Sequence, residues 1–254
     1  EQIASALIKV IETPEKQNEY RKELLQHFDV DGSFQVFLLT CEGLDAMDTV
    51  ERKKLSYRIQ VYLEDITHNA SFFYYNSDFV LVANAVPEEF LYQLIEGAIK
   101  RGERRMPELK LCVGVGSRCM DISKLSVSYH RAKVAAHMAI VQKKRVIKFD
   151  ECGLFRLLYM VEDKGILKEL EAECLAALEE HDRRYHANYV ETLHAYLKHN
   201  GSIQAVASEM YTHRNTVLYR IGNIKKILGN ELKTPEERLP YHIAFYIREM
   251  QGWI

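Results

Sequence analysis

Residues 200–229 read NGSIQAVASEMYTHRNTVLYRIGNIKKILG, and this stretch decides what kind of chain it belongs to. Residues 190–199 before it form a helical pattern with Leu193, Tyr196 and Leu197 inward. Asn200-Gly201 stops that helix, because glycine readily takes the left-handed conformation that ends one. Ser202 can cap a second helix, in which Ile203, Val206, Ala207 and Met210 make one apolar stripe. Thr212 can cap a third, where Val217, Ile221, Ile224 and Leu228 fall in a narrow arc that Leu218 widens. Two short amphipathic helices either side of a tight break outline a helix-turn-helix, which places its second helix in a DNA groove.

The arc opposite the apolar stripe of the third helix carries Asn215, Thr216, Tyr219, Arg220, Asn223 and Lys226. Arg and Asn can contact guanine or adenine through two hydrogen bonds at once. Thr, Tyr and Lys suit phosphates, and a helix N-terminus adds free N–H groups and a favourable dipole. His213 and Arg214 project nearer the apolar side on a helical wheel, yet as first-turn residues they can reach past the helix end into a groove. Between 190 and 229 the basic residues Lys198, Arg214, Arg220, Lys225 and Lys226 face only Glu191 and Glu209. That local excess favours DNA over an ordinary helical hairpin with a solvated polar face. Gly222 costs about 1 kcal/mol relative to Ala inside a helix, and nothing in the sequence explains it.

The run HRNTVLYRIGNIKKILG resembles the C-terminal helix-turn-helix of the PucR/CdaR family of bacterial transcription regulators, and TPEERLPYHIAFYI resembles that family's last helix. The resemblance implies DNA contact by His213, Arg214, Asn215, Thr216, Tyr219 and Arg220, and Thr212 at the cap and Lys226 on the polar arc join them as candidate DNA contacts. Gly222 departs from the Arg or Lys commoner there, which argues against a contact at that turn.

Upstream the pattern changes. FQVFLLT (34–40) is a near-continuous apolar run, suited to a buried central strand. Residues 46–69 read as a helix with Val50, Leu55, Ile59 and Leu63 inward. SFFYYNSDFVLVANA reads as a β-hairpin turning at Asn76-Ser77-Asp78. A helix runs from Pro87 to before Pro107, a strand covers 109–115, Asp121 caps a helix over 122–140, and 145–150 is a last strand. The order is β-α-β-β-α-β-α-β, an α+β sheet domain. Residues 153–181 are helical and acidic, and Thr234-Pro235 starts a final helix carrying Leu239, Ile243, Phe245 and Ile247.

The α+β segment is similar to the degenerate GGDEF-like domain of the same family. Where a diguanylate cyclase has Gly-Gly-Asp-Glu-Phe, this chain has Tyr75-Asn76-Ser77-Asp78-Phe79. Larger residues replace both glycines, so close approach of a nucleotide is lost. Only Asp78 keeps a carboxylate, and Thr40 and Cys41 stand where a metal-binding Asp is expected. No catalytic residue, cofactor or metal ligand is therefore assigned.

The organisation expected is a helical lead-in over 1–29 linking to a missing sensor domain, a degenerate GGDEF-like domain over 30–150, a helical connector over 151–188 and an all-α helix-turn-helix domain over 189–254. With a net charge of -2 there is no global basic bias, so any DNA contact must be local. Five scattered cysteines lack zinc or redox spacing and fit reduced thiols in a cytoplasm. No apolar run approaches the ~20 residues of a membrane span. The expected function is a sequence-specific, cytoplasmic regulator of catabolic genes. It binds double-stranded DNA as a homodimer and answers to a small-molecule effector read outside this chain. The alternatives are a GGDEF-derived nucleotide-binding or cyclase protein and a protein-interaction module.

Overall fold

The computed structural model describes residues 2–44, 47–63, 69–105 and 110–250. The chain divides into two compact units, Glu1–Arg156 and Leu157–Ile254.

The first unit is built on a sheet of strands β1 (Phe34–Cys41), β2 (Ala70–Tyr75), β3 (Asp78–Asn84), β4 (Leu111–Val115) and β5 (Val146–Lys148), in the order β2-β3-β1-β4-β5. All pairs are antiparallel except β4 with β5, which is parallel. Every residue of β1 is buried, as a central strand with both faces covered requires. Phe37, Leu39 and Cys41 pack with Leu55 and Ile59 of α3 (Thr49–Leu63) and with Leu91, Ile95 and Ile99 of α4 (Glu88–Arg105). Val36 and Leu38 face the other way. They meet Leu7 and Val10 of α1 (Gln2–Glu12), Leu24 of α2 (Gln17–Leu24) and Ala132 of α5 (Leu125–Val141).

The β2–β3 hairpin turns on Asn76 and Ser77, whose φ angles of 47° and 67° are the consecutive positive values of a tight two-residue turn. β4 lies directly on α5. A Cβ on Gly114 would sit 2.1 Å from the carbonyl oxygen of Ala132, and one on Gly116 would sit 2.1 Å from that of Ser128. The glycines of CVGVGS are thus demanded by strand–helix packing.

Several expectations need correction here. The lead-in over 1–29 is not a free linker, because α1 and α2 contribute to the core of the sheet unit. Val50 is 59% exposed rather than inward, since the helix begins at Thr49 and its first turn is at the surface. Asp121 caps a short turn over Ile122–Lys124 that precedes α5, accepting from the Ser123 N–H at 2.8 Å. The last strand is shorter than 145–150, because Phe149–Cys152 coils into a single turn. Leu63's side chain, residues 64–68 of the expected helix and residue 109 of the expected strand lie outside the description.

The acidic segment is two helices, α6 (Phe155–Met160) and α7 (Lys164–Tyr185), because Asp163 caps the second by accepting from Gly165 N–H at 2.9 Å. The second unit continues with α8 (Tyr189–Lys198), α9 (Ile203–Glu209), α10 (Arg214–Leu228) and α11 (Pro235–Glu249). Its core joins Leu175 and Leu178 of α7 to Leu193, Val206, Val217, Ile224 and Ala244 of the four helices that follow. Arg248 of α11 clamps onto Glu171 and Glu179 of α7 at 2.8 and 2.6 Å. Thr234 caps α11, accepting from Glu237 N–H at 3.2 Å, with Pro235 in its first turn. Of the apolar residues that α11 carries, Leu239 is exposed, while Phe245 and Ile247 are buried.

Candidate nucleic-acid interface

The interface is assembled by three helix ends. α8 ends on Asn200 and Gly201, with φ of 51° and 85°. Ser202 then starts α9, its hydroxyl accepting from Ala205 N–H at 3.4 Å. Between α9 and α10 the chain turns through Tyr211, which takes a φ of 50° and is 97% exposed. A non-glycine residue held in that conformation costs about 1 kcal/mol or more.

The cap of α10 is His213, not Thr212. Its ring Nδ1 accepts from the Asn215 N–H at 3.2 Å, which leaves Nε2 as the protonated, donating nitrogen. An imidazole nitrogen one residue later does the work expected of the threonine hydroxyl. Below the cap, Val217, Ile221 and Ile224 are buried, whereas Leu218 is exposed and does not widen the apolar face.

The expected contact residues divide into two groups. Thr212, His213, Arg214, Asn215 and Thr216 gather at the turn and first turn of α10, where His213, Arg214 and Asn215 are exposed. Tyr219 is 69% exposed, and Lys226 is also exposed further along the same helix. Arg220 is only half-exposed, and its Nη1 donates to Thr192 Oγ1 of α8 at 3.5 Å. Asn223 likewise turns to α8, donating to the Tyr189 hydroxyl at 2.9 Å. These two side chains tie α10 to α8, so part of their hydrogen-bonding capacity is already used.

Charge follows the same division. Lys198 and His199 converge on Glu209 at 2.9 and 2.6 Å, and Lys225 reaches Glu231 at 3.7 Å. Hydrogen bonds from Lys198, then His199, hold the Glu209 carboxyl below the usual carboxylate range. Among the described residues Arg214 and Lys226 make no ion pair. Of the cations on α10, Arg214 and Lys226 are thus exposed at its first and fourth turns, and Arg220 between them is held by Thr192. Gly222 sits between them, and a Cβ there would meet nothing within 4 Å, so no packing inside the chain requires glycine.

Residues 189–247 match the PucR C-terminal helix-turn-helix domain, and residues 19–138 match the GGDEF-like domain. The chain thus combines a PucR-type C-terminal helix-turn-helix with a GGDEF-like domain, and its distant relatives are PucR-type transcription regulators. PucR-type relatives share modest identity with it. The proline-responsive transcriptional activator PutR of Bacillus subtilis is 28% identical over 47% of this chain and 30% of its own. The DNA-binding transcriptional activator AdeR of the same organism is 24% identical over 65% and 40%. The purine catabolism regulatory protein is 29% identical over 48% and 21%. The matched part is thus well under two thirds of each relative's length. A solved structure, the regulator of polyketide synthase expression from Bifidobacterium adolescentis, covers 96% of both chains at 17% identity with a TM-score of 0.39. That likeness is too loose to carry an argument.

Two surface residues escape a reading by helical wheel. Tyr211 lies in the turn, and Gln204 is exposed in the first turn of α9, the helix that crosses the backbone in this motif. The signal for both is position, since they flank a cap rather than lie on an arc.

At the hairpin the polar groups are engaged within the sheet unit. Asp78 is 3.8 Å from Lys133 of α5, the Tyr74 hydroxyl accepts from Arg52 at 2.9 Å, and the Tyr75 hydroxyl donates to Glu12 at 3.1 Å. Thr40 and Cys41 are buried. Among the described residues no three His, Cys, Asp or Glu side chains converge as a metal site, and no helix is long and apolar enough to cross a membrane.

Proposed function

We propose that this PucR-type chain controls its promoters by laying α10 in the major groove of double-stranded DNA. Arg214 and Asn215 read base edges there. Thr212, His213, Thr216, Tyr219 and Lys226 hold phosphates, and Arg220 braces α10 on α8 while sharing in the phosphate contact. The observation that carries this reading is the exposed group His213, Arg214 and Asn215 at the capped N-terminal end of α10, with Tyr219 and Lys226 also exposed further along the helix. Docking geometry in this motif puts base contacts at that end of the second helix.

The chain acts as a cytoplasmic homodimer, so that two copies of α10 meet two half-sites about one helical turn apart. Its targets are catabolic genes and its signal is a small molecule. Relatives named for response to proline and for purine catabolism support that direction without selecting a pathway. The degenerate domain over 30–150 relays or assembles rather than catalyses, and residues 151–188 join it to the DNA-binding domain over 189–254.

Titration of fluorescent duplex DNA against salt concentration tests the core of the proposal. Affinity should fall steeply, by about one decade per decade of salt for each phosphate neutralised. A flat salt response, or no binding to any duplex from a random-sequence selection, overturns it.

A further inference from the structure

We infer that the sheet unit holds a small-molecule site at the end of the sheet opposite the β2–β3 turn, built for a small organic anion that also carries an N–H donor. It is a cavity of about 260 Å³ lined in part by Gln35, Ser117, Arg118, Lys148, Phe149 and Asp150. It adjoins a second depression of about 560 Å³ that shares Ser117 and Arg118 and adds Asp121, Lys124 and Arg131.

Gln35 is the reason to read this cavity as a site. It stands on the central strand, on the same face as Phe37 and Leu39, and is 4% exposed. A core position there would ordinarily be apolar. Its amide orientation is fixed, because Nε2 donates to the Gly116 carbonyl at 3.0 Å. That leaves Oε1 as a buried acceptor with no donor, and Ser117 Oγ of the same lining is also buried without a hydrogen-bond partner. An unsatisfied buried acceptor is destabilising, so its retention calls for a partner. A ligand N–H supplies one.

The rest of the lining has the opposite character. Arg118 is exposed and uses one guanidinium nitrogen on the Val86 carbonyl at 2.7 Å. Lys148 lies with its ammonium 4.6 Å from the Tyr92 ring centre. Arg131 and Arg156 flank the Phe149 ring at 5.1 and 5.9 Å. Asp150, the acid in the cavity lining, already faces Arg156 at 3.6 Å. A buried acceptor without a donor, Gln35 Oε1, thus adjoins a lining richer in cations than in acids, which matches a carboxylate bearing an amide or amine N–H. The volume suits a molecule smaller than a drug-sized ligand.

The site stands independently of DNA binding. Only its use as the effector site rests on the regulatory reading, so the test is made without DNA. N-acetylglycine, N-acetylsarcosine and N-methylacetamide separate the requirements. The first has both anion and N–H, the second lacks the N–H, and the third lacks the anion. Ligand-observed NMR titration of the full chain should show saturable binding of N-acetylglycine and at least a tenfold weaker response to the other two. Arg118→Gln should weaken N-acetylglycine by a similar factor while the chain's melting temperature stays unchanged. Gln35→Met should abolish the distinction between N-acetylglycine and N-acetylsarcosine. If Gln35→Met does not fold, Ser117→Ala should narrow the same distinction. Equal binding of N-acetylglycine and N-acetylsarcosine to the unaltered chain overturns the proposal. So does the absence of saturable N-acetylglycine binding, which would leave Gln35 satisfied by water alone.

Discussion

The outer side of α10 and the tip of the β2–β3 hairpin are both polar surfaces, but they use their polar groups in opposite ways. At the hairpin, Asp78, Tyr74 and Tyr75 are engaged by Lys133, Arg52 and Glu12 of the same unit. On α10, Arg214, Asn215, Tyr219 and Lys226 remain exposed. A binding surface keeps its donors and acceptors available, whereas one that has become structural spends them internally. Composition alone would not separate the two, since both mix aromatic with charged or amide residues.

The contrast can be broken at several points. Ile224→Ala should have the largest effect, because Ile224 is fully buried beneath α10 and its truncation costs about 2–5 kcal/mol. Chemical denaturation should show the helical unit destabilised, with DNA affinity falling alongside. Arg214→Ala should act on DNA alone, weakening a selected duplex about 10- to 100-fold, as expected for loss of a contact worth about 1–3 kcal/mol. An unchanged melting temperature with that loss supports the open-surface reading, and unchanged affinity defeats it. Asp78→Asn is the mirror experiment. It should cost on the order of 1 kcal/mol in the sheet unit, given its half-buried partner, and leave DNA affinity untouched. The unaltered chain should show no turnover of GTP with Mg²⁺, and measurable turnover would reopen the hairpin as an active site. Gly222→Ala should stabilise the helical unit by up to about 1 kcal/mol, because the added methyl meets open space. A drop in melting temperature would reveal a packing role not seen in the chain itself.

The smallest effect concerns pH. Burial lowers the affinity of His194 for a proton, and its ring stacks on Phe245 at 4.5 Å. The unfolded chain therefore takes up a proton that the folded one resists. Stability should decline as pH falls below the unfolded value of about 6.5, and recover as pH rises through it. Melting scans between pH 7 and 5 should show a gentler decline in His194→Gln, although His242, lowered by burial on the same unit, retains part of the slope.

Much of the architecture is legible in the sequence where one local force dominates. β1 is a run of apolar residues that only a central strand can bury, and Asn76-Ser77 permits a tight hairpin. Ser202, Asp121 and Thr234 announce helix starts because their oxygens have nearby N–H groups to satisfy. The reading fails where two local solutions are nearly equal or where tertiary packing decides. Thr212 reads as the cap of α10 because hydroxyls are common there, yet the helix starts one residue later and the His213 imidazole takes the place. Helices α1 and α2 look like a linker because the core they complete lies far away in sequence. Arg220 and Asn223 fall on the polar arc, yet α8 lies close enough to capture them. Gln35 is invisible to periodicity, since a single polar residue in an apolar run reads as noise until its neighbours are known.

The contact between β4 and α5 has a mechanical meaning. Strand and helix are pressed together at Gly114, where a Cβ would meet only helix backbone, and again just past the strand at Gly116, where Ser128 closes the gap. Most strand–helix contacts in a protein are cushioned by rotatable groups that absorb a small shift. Here backbone meets backbone at Gly114, so a side chain added there could be accommodated only by moving the strand or the helix itself.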